Sequence, residues 1–236
     1  MNIVYRTCRV SRLHTVALLV TASIGFSTGC AKESNDVAPL EWMGDQPHFA
    51  IRGTLNGENL DVKLEGDAAK DLENLHCLRE YQVPSEAAST DEADAGVEDW
   101  ENGKMSEVQV IVQLNVNGTP RELDLELKRH DYQADEVGTE VTIIPRDDSK
   151  EPGSTEMWSE IEWYENDENI YEQASQEGTF VLKRFTGTPG EDNPLVIPEN
   201  TGSVGGVLTA KWSPTETISI SFTADCTGNS VEIIGE

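Results

Sequence analysis

The residues whose types could do chemistry are few and scattered. Beyond the first thirty positions the chain holds three histidines, His48, His76 and His130, in unrelated contexts. No GxSxG, HExxH, GxxxxGK or GxGxxG stretch occurs, so a nucleophile–base pair could arise only by distant residues converging. Acids, by contrast, are abundant, with 44 Asp and Glu against 17 Lys and Arg. Paired carboxylates can hydrolyse glycosides, but with this many acids any fold brings some together, and a pair alone identifies nothing. Calcium is the better-founded metal, since it is held by several Asp, Glu, Asn and carbonyl oxygens. The run from Asp91 to Gly96 has the outline of a calcium loop, yet Ala93 and Ala95 offer no side-chain oxygen and Asn102 stands where the closing Glu would be. An EF-hand is excluded. An irregular site drawn from Asp91, Asp94, Asp99, Asp147 or Asp148 is the remaining metal expectation, and no other cofactor is expected.

Trp158, Trp163 and Tyr164 form the one aromatic cluster. Exposed on a sheet face they could stack on sugar rings or anchor a partner. Alternation with Ile161 favours a plainer outcome, with Trp163 and Ile161 inward and Tyr164 outward.

A net charge of −27 repels phosphate backbones, which removes nucleic acid from the partners. The same charge keeps a protein soluble and monomeric, and a saline habitat would produce it without any specific site. Hydrophobic residues at 37% suffice for one core, so global disorder is not expected. No apolar run reaches the ~18 residues of a membrane span.

The N-terminus reads as an address. Residues 1–29 contain Arg6, Arg9 and Arg12 with no acid, followed by an apolar stretch from Val16 to Phe26, the pattern of an export signal. The sequence Ser27-Thr28-Gly29-Cys30 then resembles the lipobox of bacterial lipoproteins, matching at Thr28, Gly29 and Cys30, with Ser27 where Leu is commonest. The resemblance implies that Cys30 receives a diacylglyceryl thioether and an N-acyl chain. Ala31, rather than Asp, after that cysteine implies the outer membrane. Two or more acyl chains make a stable tether, at ~0.8 kcal/mol per buried CH₂. The alternative is ordinary cleavage near Ala22 or Gly29, giving a soluble periplasmic or secreted protein.

Four cysteines are present: Cys8, Cys30, Cys77 and Cys226. Cys8 leaves with the signal, and the lipid takes Cys30. In an exported protein the remaining pair, Cys77 and Cys226, is most economically a disulfide. It would close a loop of roughly 150 residues, worth ~4–5 kcal/mol in the chain-entropy model.

The elements that must position these residues are strands. Residues 30–46 are polar and read as a flexible tether, with Trp42 and Met43 able to dock; residues 47–236 read as a single domain. HFAIRGTL and NLDVKLE alternate around Asn56-Gly57, and EVQVIVQLNV and RELDLELK do so around Asn117-Gly118. Asn-Gly between alternating runs signals a type I′ hairpin, because both central residues need positive φ. In the second hairpin Glu122, Asp124 and Glu126 should face water. TEVTII, SEIEWYE, GTFVLKRF, VGGVLTAKW and TISISFTADC continue the pattern. A helix fits only near residues 67–81, where Leu72, Leu75 and Leu78 recur at helical spacing. Three long connections, 84–104, 145–155 and 186–203, are acidic or Pro/Gly-rich, a length usually functional or disordered. The fold class expected is all-β, an antiparallel β-sandwich of Ig-like or jelly-roll-like type, with long acidic loops and at most one short helix.

The function expected is that of an exported, lipid-anchored, non-enzymatic envelope protein. It would act as a structural, interaction or binding module with a protein or glycan partner. A glycan- or calcium-binding module is the alternative, and a carboxylate-based hydrolase the third.

Overall fold

The structure, a computed structural model, describes residues 37–84, 104–129, 132–147, 149, 152–186 and 202–234. Cys30 and the export signal lie outside the described residues, as do Asp91, Asp94, Asp99, Asp148 and His130.

Why strands form is plain from the burial. In β4 (Lys104–Val116) and β5 (Thr119–Arg129) the alternate residues Val108, Val110, Val112, Leu114, Val116, Leu123, Leu125 and Leu127 are all buried. Each such aliphatic side chain contributes about 1.5–3 kcal/mol on leaving water. The preceding elements are β1 (His48–Leu55), β2 (Glu58–Leu64), α1 (Asp67–Lys70) and β3 (Leu75–Pro84). After β5 come one 3-10 turn (Ala134–Glu136), β6 (Glu140–Ile143), β7 (Glu156–Glu165) and β8 (Glu168–Ala174). The chain finishes with β9 (Glu177–Thr186), β10 (Ser203–Ser213) and β11 (Glu216–Ile234).

The fold is all-β and sandwich-like, built from one 11-stranded sheet. The pairing path runs β10-β9-β6-β7-β5-β4-β3-β11, and β11 also pairs β10, so the ladder returns to its start around a single core. The 19-residue β11 makes this possible, meeting β10 and β1 with its first half and β3 with its second. Among the described residues two ladders are parallel, β11 with β3 and β6 with β7, where antiparallel pairing throughout was expected. Parallel neighbours require long crossovers, and β3 and β11 are separated by most of the chain.

The helix is shorter than the leucine spacing suggests. It ends at Lys70, and Leu75 already opens β3. Leu72 is left exposed while Leu75 and Cys77 are buried, so the two-residue period of LHCLREY outweighs the three-residue one. A four-residue helix with no side-chain cap has little to hold it otherwise.

Among the described residues the β1–β2, β4–β5, β7–β8 and β10–β11 hairpins turn at the same end. Asn56-Gly57 and Asn117-Gly118 have positive φ at both positions, as their sequences require. A third turn of this kind is Asn166-Asp167, with φ of 53° and 63°. Arg121 gathers the turns by pairing with Glu58 at 3.2 Å and Glu165 at 2.9 Å. Glu216 does the same, accepting hydrogen bonds from the Gly57 amide at 3.3 Å and the Tyr171 hydroxyl at 2.9 Å. Inside the fold, Gly206 is needed for close approach: a Cβ there would overlap the Phe180 ring. The space it leaves lets Phe180 stack on Phe222 with centroids 6.4 Å apart.

Cys77 and Cys226 face each other across the parallel β3–β11 ladder, with Cα atoms 4.2 Å apart, and their sulfurs are bonded. Both are buried.

Residues 37–46, read as tether from composition, lie along the outer side of β11. The Leu40 amide donates to Ser219 Oγ at 2.8 Å, and the Trp42 indole N–H donates to Thr223 Oγ1 at 3.3 Å. Thr223 in turn donates to the Gly44 carbonyl at 3.0 Å, and Arg184 pairs with Asp45 at 3.2 Å. Ser219, Ser221 and Thr223, the polar residues of TISISFTADC, are thereby fully buried.

Candidate functional site

The chemistry-bearing side chains concentrate on the outward face of β4, β5, β7 and β8. Register places Gln109, Glu126, Glu160 and Ala174 in one row across these strands, and Ile111, Asp124, Glu162 and Glu172 in the next. Glu107, Lys128 and Trp158 form the row on one side, Gln113, Glu122 and Tyr164 the row on the other. Carboxylates therefore stand directly opposite carboxylates at Glu126–Glu160, Asp124–Glu162 and Glu162–Glu172. Like charges in such positions destabilise a sheet.

Glu122, Asp124 and Glu126 do point outward as alternation requires, but they are not simply solvated. Asp124 is 9% exposed, and Glu122 and Glu126 are half-buried. The long side chains of four adjacent strands shield one another. Asp124 Oδ2 accepts a hydrogen bond from Gln109 Nε2 at 2.5 Å, while its Oδ1 is buried with no partner. Burial, assisted by Glu126, Glu162 and Glu122, pushes the Asp124 carboxyl up to about 7 against the hydrogen bond from Gln109. Burial, then Glu126 and Glu80, likewise pushes Glu107 up to about 7. Glu126 is raised by burial and by Glu160 and Glu162; Glu160 is raised by burial against the pull of Arg146.

The cations sit at one side of this face. Lys128 is 3.9 Å from Glu107, and Arg146 pairs with Glu160. Both also lie over the Trp158 ring, Lys128 Nζ at 5.5 Å from its centroid and the Arg146 guanidinium at 4.8 Å. Trp158 is consequently buried, at 8% exposed. Trp163 points inward with Ile161, both within 1% of complete burial, and the Arg121 guanidinium lies 5.8 Å from its ring. Neither indole offers a free face for stacking on a sugar. Tyr164 points outward and its hydroxyl donates to the Glu162 carboxylate.

Of the aspartates considered for calcium, Asp147 is described. It is exposed, and its Oδ1 accepts from the Ser149 amide at 3.1 Å and hydroxyl at 2.6 Å. Among the described residues no group of three or more His, Cys, Asp or Glu is arranged to hold a metal ion.

One serine–histidine contact forms that the sequence did not suggest, with His48 Nε2 3.2 Å from Ser221 Oγ. Such pairs begin nucleophilic catalysis when a substrate can reach the hydroxyl. Here Ser221 is fully buried and His48 3% exposed, with His48 Nδ1 bonded to the Gln46 carbonyl at 2.9 Å instead of a carboxylate. Burial lowers the His48 pKa. The pair latches the N-terminal strap to β11.

The carboxylate face was legible only as alternation within each strand. Glu122, Asp124 and Glu126, and separately Glu160 and Glu162, have the spacing of one sheet face, but their juxtaposition follows from the β5–β7 register. No protein-family model, no curated protein and no solved structure matches this chain.

Proposed function

We propose that this chain is an exported, lipid-anchored protein of the bacterial envelope, held at the outer membrane through Cys30 and acting as a non-enzymatic interaction module. The observation that carries this reading is the buried Cys77–Cys226 bond. Such bonds persist in oxidising compartments outside the cytosol, which agrees with the export signal read in residues 1–29. The bond also leaves Cys8 and Cys30, both in the first thirty residues, as the other two cysteines. The module role is supported by the placement of reactive groups: carboxylates lie on an outer sheet face, and the His48–Ser221 pair is sealed beneath residues 37–46.

The test is the intact mass of the protein extracted from its own membranes. A mass equal to residues 30–236 plus three acyl chains, rising by about 2 Da on reduction, supports the reading. An unlipidated mass beginning elsewhere overturns the anchor, and an unchanged mass on reduction overturns the oxidised compartment.

A further inference from the structure

We infer that the outward face of β5, β7 and β8 is a docking surface for a basic protein segment in extended conformation. Among the described residues the face is least neutralised around Asp124, since Lys128 and Arg146 reach Glu126 but not Asp124. Lys128 and Arg146 serve Glu107 and Glu160 at one side, whereas the bonds made by Asp124, Glu162 and Glu122 are to Gln109, Tyr164 and Gln113. Carboxylate opposes carboxylate across two successive ladders there. Independently of the charge count, Asp124 Oδ1 is buried and lacks a partner although its residue points into this face. A carboxylate oxygen in that condition costs free energy until a proton or a cationic donor reaches it.

Spacing selects the occupant. The carboxylates repeat about every 6.8 Å along a strand and about 4.8 Å between strands. The repeat of about 6.8 Å along one strand is the one that a peptide lying along β5 would meet. It equals the interval between alternate side chains of an extended peptide. Lysine or arginine stems are long enough to part the flexible Glu126 and Glu162 side chains and reach Asp124. The inference deepens the interaction-module reading without depending on the anchor: an unlipidated chain that binds, or a lipidated chain that does not, separates the two.

The experiment titrates the purified full chain against a fluorescein-labelled ten-residue peptide alternating Lys and Thr, in about 50 mM salt, where exposed charges are weakly screened. A triple variant, Asp124→Asn, Glu126→Gln and Glu162→Gln, removes the face. A second triple, Glu41→Gln, Glu73→Gln and Glu140→Gln, removes the same charge from exposed positions elsewhere. Melting curves of both confirm that they fold. The expected result is binding by the native chain, at least tenfold weaker in the face variant and changed less than twofold in the control. Equal weakening in both triples overturns the proposal, as does absence of binding by the native chain. A peptide with its five lysines in one block that binds as well as the alternating one overturns the extended register. Displacement of the peptide by stoichiometric calcium overturns the occupant.

Discussion

Glu126 on β5 and Glu160 on β7 are direct cross-strand partners on the outer face of the sheet, two carboxylates where a stable sheet would place opposite charges. Arg146 neutralises Glu160 in part, and Glu126 keeps a raised pKa from burial and from the neighbour it faces. The stability of the protein therefore depends on proton occupancy of this face.

Asp124 and Glu107 titrate near 7 when folded and near ~4 when unfolded. Between those values the folded state holds protons that the unfolded state has released, so stability falls as pH rises through the window. His48, whose pKa is lowered, works in the opposite direction once pH drops below its ordinary value. From pH 9 down to about 6.5 the carboxylates dominate, and unfolding free energy should rise by on the order of 1–2 kcal/mol. Urea unfolding across this range checks it, and a flat or falling profile contradicts the assignment.

Asp124→Asn should stabilise the protein at pH 8 by about 1–3 kcal/mol, because it replaces a buried, half-satisfied carboxylate with a neutral amide. The same variant should lose much of the pH dependence. A destabilised Asp124→Asn protein at pH 8 would show that the charge is compensated.

Thr223 is the hub of the strap, accepting from Trp42 and donating to Gly44. Thr223→Val keeps the shape and removes both bonds, at a cost of about 2 kcal/mol. The loss should be local: limited proteolysis should cut within residues 37–46 faster, while the β-sheet circular dichroism is unchanged. Unaltered proteolysis would mean that packing of Trp42 and Met43 alone holds the strap.

The pair Cys77→Ser and Cys226→Ser should lower stability by about 5 kcal/mol, the chain-entropy value for so long a loop. The two cysteines are 149 residues apart. Because the bond joins the β3–β11 ladder, amide exchange should accelerate first in Leu75–Pro84 and in the C-terminal half of β11. Uniform acceleration would argue that the ladder holds without the bond.

Gly206→Ala should be among the most damaging single substitutions, costing about 1–3 kcal/mol by overpacking. The added methyl overlaps the Phe180 ring and lies 2.9 Å from the Val181 carbonyl oxygen. A compensating Phe180→Leu in the same chain should recover part of the loss in thermal unfolding; no recovery would place the strain in the backbone.

Much was decided by the sequence alone, where the deciding interaction is local. Period-two alternation set the strands and their inward faces, since side chains of a strand must alternate, and Asn56-Gly57 and Asn117-Gly118 set two turns through their tolerance of positive φ. Asn166-Asp167 could have been read the same way, because both residues tolerate that conformation. Cysteine counting paired Cys77 with Cys226 because two thiols were left over. What only the tertiary structure decided is non-local. A strand's own alternation says nothing of which strand lies beside it, so neither the closing of the ladder through β11 nor the row joining Asp124 to Glu162 could be read from spacing. The docking of Leu40, Trp42 and Gly44 on hydroxyls about 180 residues away follows the same rule. Alternation marked Asp124 as facing water; the neighbours supplied by the fold removed the water and left one of its oxygens buried without a partner.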